Sequence, residues 1–246
     1  MGWFRFSNWS FLILIAGLPV FAHAEWPAPT GYVSDPRYAG YDLLTPAVLQ
    51  TLREKDQFFI TFAGTPGCGV ANTVAADLLA YQKTQIPEIP VFIVDSMSAE
   101  AVRRVAKPSG SVPLILIFGG KKLLDGQLGL GGSKNGGFFD AMMERQGLPI
   151  SGLGEDSGEG NLYWRKNWKN GPPKEFGKTF RSKTLAEVDL SHADLTGAIF
   201  TYSVITHSNF RNAVLKDGKF EDTVWINTIC PDGSNSDEHQ YSCVGF

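Results

Sequence analysis

Residues 185–225 read LAEVDLSHADLTGAIFTYSVITHSNFRNAVLKDGKFEDTVW. Leu185, Leu190, Leu195, Phe200, Ile205, Phe210, Leu215, Phe220 and Trp225 set a large apolar side chain at every fifth position. Two residues ahead of most of them stands a small one: Ala193, Ala198, Ser203, Ser208, Ala213, Gly218 and Thr223. Neither the 3.6-residue period of a helix nor the two-residue alternation of a strand produces this spacing. A short fixed period means a chain that stacks on itself, each unit burying its apolar side chains against the next.

The pattern resembles the pentapeptide-repeat family, which implies a right-handed quadrilateral β-solenoid with four pentapeptides per coil. On that resemblance Leu185, Ile205 and Trp225 stack in one column. Leu190 then lies on Phe210, Leu195 on Leu215, and Phe200 on Phe220. The run makes little more than two such coils, too few to stand alone, so it needs a neighbour to lean on and a cap. Cys230-Pro-Asp-Gly-Ser-Asn-Ser and Cys243 bracket a polar loop with a Pro-Asp-Gly turn at the end of the repeat. A Cys230–Cys243 disulfide is expected to close it, contributing about 3 kcal/mol by loop-closure entropy. The chain has three cysteines, so this pairing leaves Cys68 over.

Upstream, residues 57–147 alternate strand and helix signals. Phe58–Phe62, Val91–Asp95 and Leu114–Phe118 are continuous apolar runs. Helical patterns separate them at Val70–Lys83 and Ala99–Lys107, and a last one follows at Phe138–Gln146. Strands of this kind belong to a sheet covered on both faces. Gly119-Gly120-Lys121-Lys122 predicts a tight turn into a fourth strand, Leu123–Leu130. Residues 25–50 are rich in Pro, Gly, Tyr and Trp and predict a short helix from Thr45 to Glu54, with Pro46 in its first turn. Residues 148–180, rich in Gly, Lys and Trp, read as a connector with little regular structure, pinned by Trp164 and Trp168.

Cys68 follows the strand Phe58–Phe62 and the loop Ala63-Gly64-Thr65-Pro66-Gly67, and it opens the helix. There the unsatisfied N–H groups and the positive dipole end favour thiolate over thiol. The order strand, turn, Cys68-Gly69-Val70-Ala71, helix, strand, helix, then Ser111-Val112-Pro113 before a strand resembles the thioredoxin superfamily over about 90 residues. In that family the proline is cis and lies beside the reactive sulfur. The resemblance implies Pro113 in that place, Val112 as the residue whose backbone binds an extended peptide, and Cys68 as the nucleophile. The second cysteine of the family falls on Ala71. Without a resolving thiol, a mixed disulfide on Cys68 has no internal release, which disfavours a general dithiol oxidase or reductase.

At the amino terminus Arg5 precedes the apolar run Phe11–Phe21, followed by Ala22-His23-Ala24. Eleven apolar residues are about half a bilayer span, so residues 1–24 read as a cleaved signal peptide, placing the protein in the periplasm or outside the cell. Without residues 1–24 the chain holds 21 Lys and Arg against 25 Asp and Glu, which steers it toward neither nucleic acid nor an anionic membrane. No cofactor motif appears. Gly126–Lys134 lacks the Gly-Lys-Ser/Thr ending of a phosphate loop. His192 and His207 lie three pentapeptides apart and share no metal site.

The fold class expected is an α/β thioredoxin-like domain, with a central mixed sheet and flanking helices, plus a short β-solenoid. Signal peptide 1–24 precedes the thioredoxin-like domain with its amino-terminal extension (25–147), a connector (148–182), the solenoid (183–230) and the disulfide-closed cap (230–246). The function expected is monothiol thiol-disulfide exchange, or covalent partner capture, through Cys68 on exported proteins or peptides, with an outside thiol donor. The alternative is a non-catalytic protein-binding scaffold using the same groove and the solenoid faces.

Overall fold

The computed structural model describes residues 40–64, 69–86, 89–94, 98–106, 113–128, 137–148, 162–172, 174 and 177–245. The first unit is built from β1 (Asp42–Leu43), α1 (Pro46–Glu54), β2 (Phe58–Ala63), α2 (Gly69–Gln85), β3 (Val91–Val94), α3 (Glu100–Ala106), β4 (Leu114–Gly119), β5 (Lys122–Leu128) and α4 (Gly137–Arg145). Local chemistry sets several of these bounds. Thr45 caps α1 by accepting from the Val48 amide, and Pro46 takes the first helical position, where its missing N–H costs nothing. Gly120, at φ +56°, makes the β4–β5 turn beside Asp56, whose side chain would overlap a β-carbon there.

The sheet order is β1-β3-β2-β4-β5, with β1, β3 and β2 parallel and β4 and β5 antiparallel to their neighbours. The apolar strands alternate between its two faces. Ile60, Phe62, Val91, Ile93, Ile115 and Ile117 meet α2 and α4 on one side. Phe59, Ala63, Phe92, Val94, Leu114, Leu116 and Phe118 meet α1 and α3 on the other. A mixed sheet with flanking helices is therefore present, as expected. The two-residue β1 is an addition that the composition of residues 25–50 does not announce.

The second unit is a parallel sheet, β6 (Leu162–Trp164), β7 (Thr184–Ala186), β8 (Val204–Thr206) and β9 (Val224–Ile226). The register runs Leu185↔Ile205↔Trp225, which is the expected column. Further bridges join Asp189↔Asn209↔Ile229, Asp194↔Val214 and Thr179↔Ile199↔Lys219, so pairing recurs every five residues with a twenty-residue offset. Between these pairings, one residue in five has positive φ: Ser182, Glu187, His192, Gly197, Tyr202, His207, Asn212, Asp217, Asp222 and Asn227, from 43° to 71°. Seven of the ten are Gly, Asn, Asp or His, the types that tolerate this conformation. The seven corners from Ser182 to Asn212 are each held by their own N–H, which donates one course further on, as in His192 to Arg211, Tyr202 to Glu221 and His207 to Ile226. Inside, Phe180, Phe200 and Phe220 stack face to face, with ring centroids 4.7 and 5.4 Å apart. Small hydroxyl residues tie successive courses: Ser203 donates to the Phe180 carbonyl and Thr228 to that of Ile205.

The expectation of an irregular connector over 148–180 fails from residue 162 onward. β6 pairs with β7 at an offset of 22 residues, and Asn167 bridges Asp189 at the same offset. Thr179 returns to the ordinary offset with Ile199. Two extra residues around the Gly-Pro-Pro stretch hide this first course from the period. Trp168 is buried against Tyr163 and Phe180 and pins the course from within.

The strands β7, β8 and β9 are buried on both sides. Leu185, Ile205 and Trp225 point into the repeat. Their neighbours Val204, Val224 and Ile226 join the first unit's core beside Leu116 and Leu128, while Ala186 joins the opposite core with Ile60. The contact is close at Gly126 of β5, where a β-carbon would lie 2.8 Å from Leu116 Cδ2 and 3.0 Å from Ile226 Cδ1. Gly126→Val is therefore expected to destabilise the folded chain by about 1–3 kcal/mol through overpacking. Thermal denaturation checks this, and an unchanged melting temperature would mean that the two units do not press together at β5.

Candidate functional site

The described residues give the frame around Cys68. β2 ends at Ala63, paired with Leu114 at the start of β4, so Gly64 and Pro113 leave the sheet side by side. Both are buried, Pro113 in a bend. α2 begins at Gly69 and runs 17 residues with no acidic side chain in its first turn, so no carboxylate competes there for the positive helix end. Ala71, fully buried, seats the first turn of α2 on the core beside Phe62. Cys68 and Val112 themselves lie outside the described residues. What the frame fixes is their chain neighbours: residue 68 comes immediately before a long helix, and residue 112 immediately before Pro113.

Cys230 and Cys243 are joined, with Cα atoms 5.1 Å apart, and both are buried. The disulfide closes the cap against the last strand. Trp225 donates to the Tyr241 carbonyl, Ile229 bridges Asn235, and the Tyr241 hydroxyl accepts from the Leu123 amide of β5 at 2.8 Å. Burial raises the Tyr241 phenol above its ordinary value, keeping it neutral in this contact. With both carboxy-terminal cysteines engaged, Cys68 has no partner cysteine within the chain.

A polar node between the units escaped the sequence reading. Asp125, wholly buried on β5, accepts through Oδ1 from Gly126 N and from Thr206 Oγ1, each at 2.9 Å. Its Oδ2 accepts from Arg145 Nε at 2.9 Å, with the neighbouring guanidinium nitrogen at 2.7 Å. Arg145 reaches on to Glu187 at 2.5 Å, and Glu187 also takes Arg165 at 2.6 Å. His207 Nε2 stands 3.4 Å from Asp125, while its Nδ1 faces the Asn227 amide at 3.0 Å. Glu187, His207 and Asn227 are equivalent corners of successive courses, so one column of the repeat lines the node, Glu187 through Arg145 and His207 beside Asp125. The node is charge-paired, which suits joining the units. Among the described residues no cluster of His, Cys, Asp and Glu is placed to hold a metal ion, and no helix is long and apolar enough to cross a membrane.

Removing one partner of a buried pair strands the other, whereas exposed pairs contribute little. Asp125→Ala is expected to cost about 3–5 kcal/mol in denaturant unfolding. Glu100→Ala, which breaks the exposed Glu100–Arg104 pair on α3, is expected to leave the unfolding midpoint where it was. Equal effects from the two substitutions would remove the buried node from the account.

Comparison with known proteins follows the same division. Residues 184–217 match the family model described as Pentapeptide repeats (8 copies). No curated protein matches the chain. Thioredoxin O2 from Arabidopsis thaliana, in its oxidized state, is a similar solved structure, with 15% identity and a TM-score of 0.35, over 43% of this chain and 92% of that one. Residues 184–217 carry pentapeptide repeats, and the first unit is a mixed sheet with flanking helices.

Proposed function

We propose that this is an exported protein whose thioredoxin-like unit carries out monothiol thiol-disulfide exchange at Cys68, mounted on a right-handed quadrilateral β-solenoid of pentapeptide repeats. One observation supports this reading above the others. The Cys230–Cys243 bond takes up the other two thiols and leaves Cys68 directly ahead of a 17-residue helix without first-turn acids. A thiolate there attacks one sulfur of a disulfide in an exported protein or peptide. A new bond forms from Cys68 to that sulfur, the old bond breaks, and the other sulfur leaves with the electron pair as a thiolate. Val112 and Pro113 would present the extended substrate alongside. Ala71 supplies no second thiol, so an external thiol must attack the mixed disulfide to free Cys68.

The same Ala71 favours a second reading, in which the groove binds partners without turnover. A buried alanine at that place packs the helix start and offers no chemistry. The two readings part on the thiol itself. In native protein, alkylation of Cys68 followed against pH is expected to show a thiolate midpoint clearly below the ordinary cysteine value of about 8.5. Cys68→Ser is expected to abolish capture of an exported disulfide-bearing substrate. A thiol as slow in the native protein as in denaturant, together with undiminished partner binding by Cys68→Ser, would leave only the scaffold.

A further inference from the structure

Charge is sorted along the repeat unit. Residues 162–183 carry seven Lys and Arg against one acid, residues 184–220 carry three against four, and residues 221–246 carry five Asp and Glu with no Lys or Arg. The sheet order β6-β7-β8-β9 puts the basic course at one edge. The acidic cap lies at the other, where Trp225 of β9 meets Tyr241 and the 3-10 turn Ser236–His239. Lys166, Lys169, Lys174 and Arg181 are exposed on the first course, and Glu221, Asp222, Asp232 and Glu238 on the last.

Neighbouring courses lie about 4.8 Å apart, so the two edges are separated by about 15 Å. That exceeds the screening length of about 8 Å at physiological salt, and the edges therefore do not neutralise each other across one molecule. Over residues 162–246 the opposite charges cancel. A polyanion would fit the basic edge and be repelled by the cap, and a polycation the reverse. A partner that satisfies both edges must carry both signs at matching separation, and this chain does so itself.

We infer that the repeat unit is an interaction surface for a second copy of this chain, the basic first course of one protomer docking on the acidic cap of its partner. The contact is electrostatic and polar, so it is weak and salt-dependent. It lines up the thioredoxin-like units of adjoining copies without using their grooves, and it stands whether or not Cys68 is reactive.

Sedimentation of the full-length protein over a range of concentrations tests this. At about 20 mM salt the average mass is expected to rise at least twofold with concentration, and at about 500 mM salt to fall back to the monomer. The triple variant Lys166→Glu, Lys169→Glu, Lys174→Glu is expected to stay monomeric at low salt. So is Glu221→Lys, Asp222→Lys, Glu238→Lys. An equimolar mixture of the two is expected to associate again, since the first variant keeps the acidic cap and the second keeps the basic course. Circular dichroism confirms that both fold. A native chain that stays monomeric at low salt, an association indifferent to either reversal, or a mixture that fails to associate would each overturn the proposal.

Discussion

Both faces of β5 are covered, and the repeat covers a good part of them. This shared burial is the constraint from which the rest follows. A sheet of continuous apolar strands cannot leave a face in water, and α1 and α3 cover only part of one. Val204, Val224 and Ile226 complete that side, with Gly126 cut back to backbone so that they can approach. The repeat gains the neighbour that three short courses need. Asp125 fixes the register of this contact, because its bond to Thr206, and that of its partner Arg145 to Glu187, form only when the repeat lies against β5 in one position. A second fastening, from the Leu128 amide to the Thr184 hydroxyl, acts in the same way one course earlier.

This arrangement places Cys68 on the unit that the repeat braces rather than on the repeat itself. Pentapeptide courses are held by hydrogen bonds every five residues and by a packed aromatic column, which makes a stiff support. The cap disulfide serves the same end. It holds Tyr241 against the Leu123 amide and removes the two thiols that could otherwise close on Cys68. Under the proposed function the sulfur of Cys68 must be kept from internal pairing, and joining both other cysteines in one buried bond serves that.

Much of this was legible from residues alone, and what was missed has a common cause. The helix at Pro46–Glu54 announced itself through Thr45 and Pro46, and the hairpin through Gly119-Gly120, because caps and turns are local. The columns of the repeat followed from a period that survives over nine successive fifth positions, Leu185 to Trp225. The first course did not, because two added residues break its spacing, although Phe180 stands one step of five before Leu185 and was the available clue. The left-handed corners were also visible in principle, as Asn, Asp, His and Gly recurring at fives. The Asp125 node was not, since Thr206 lies 81 residues away and a lone aspartate in a strand carries no sign of its partners. At the candidate site, the order of elements and the pairing of Cys230 with Cys243 could be read, because position in a loop-strand-helix sequence and cysteine spacing are both local.

The central claim is that the two units fold on one core. Equilibrium unfolding in denaturant tests it, followed at once by tryptophan fluorescence, to which Trp164, Trp168 and Trp225 of the repeat contribute, and by amide exchange of β2 and β4 in the first unit. The account predicts a single coincident transition with one midpoint for both probes. Two separated transitions, with the β2 and β4 amides still protected after the tryptophans are exposed, would contradict it.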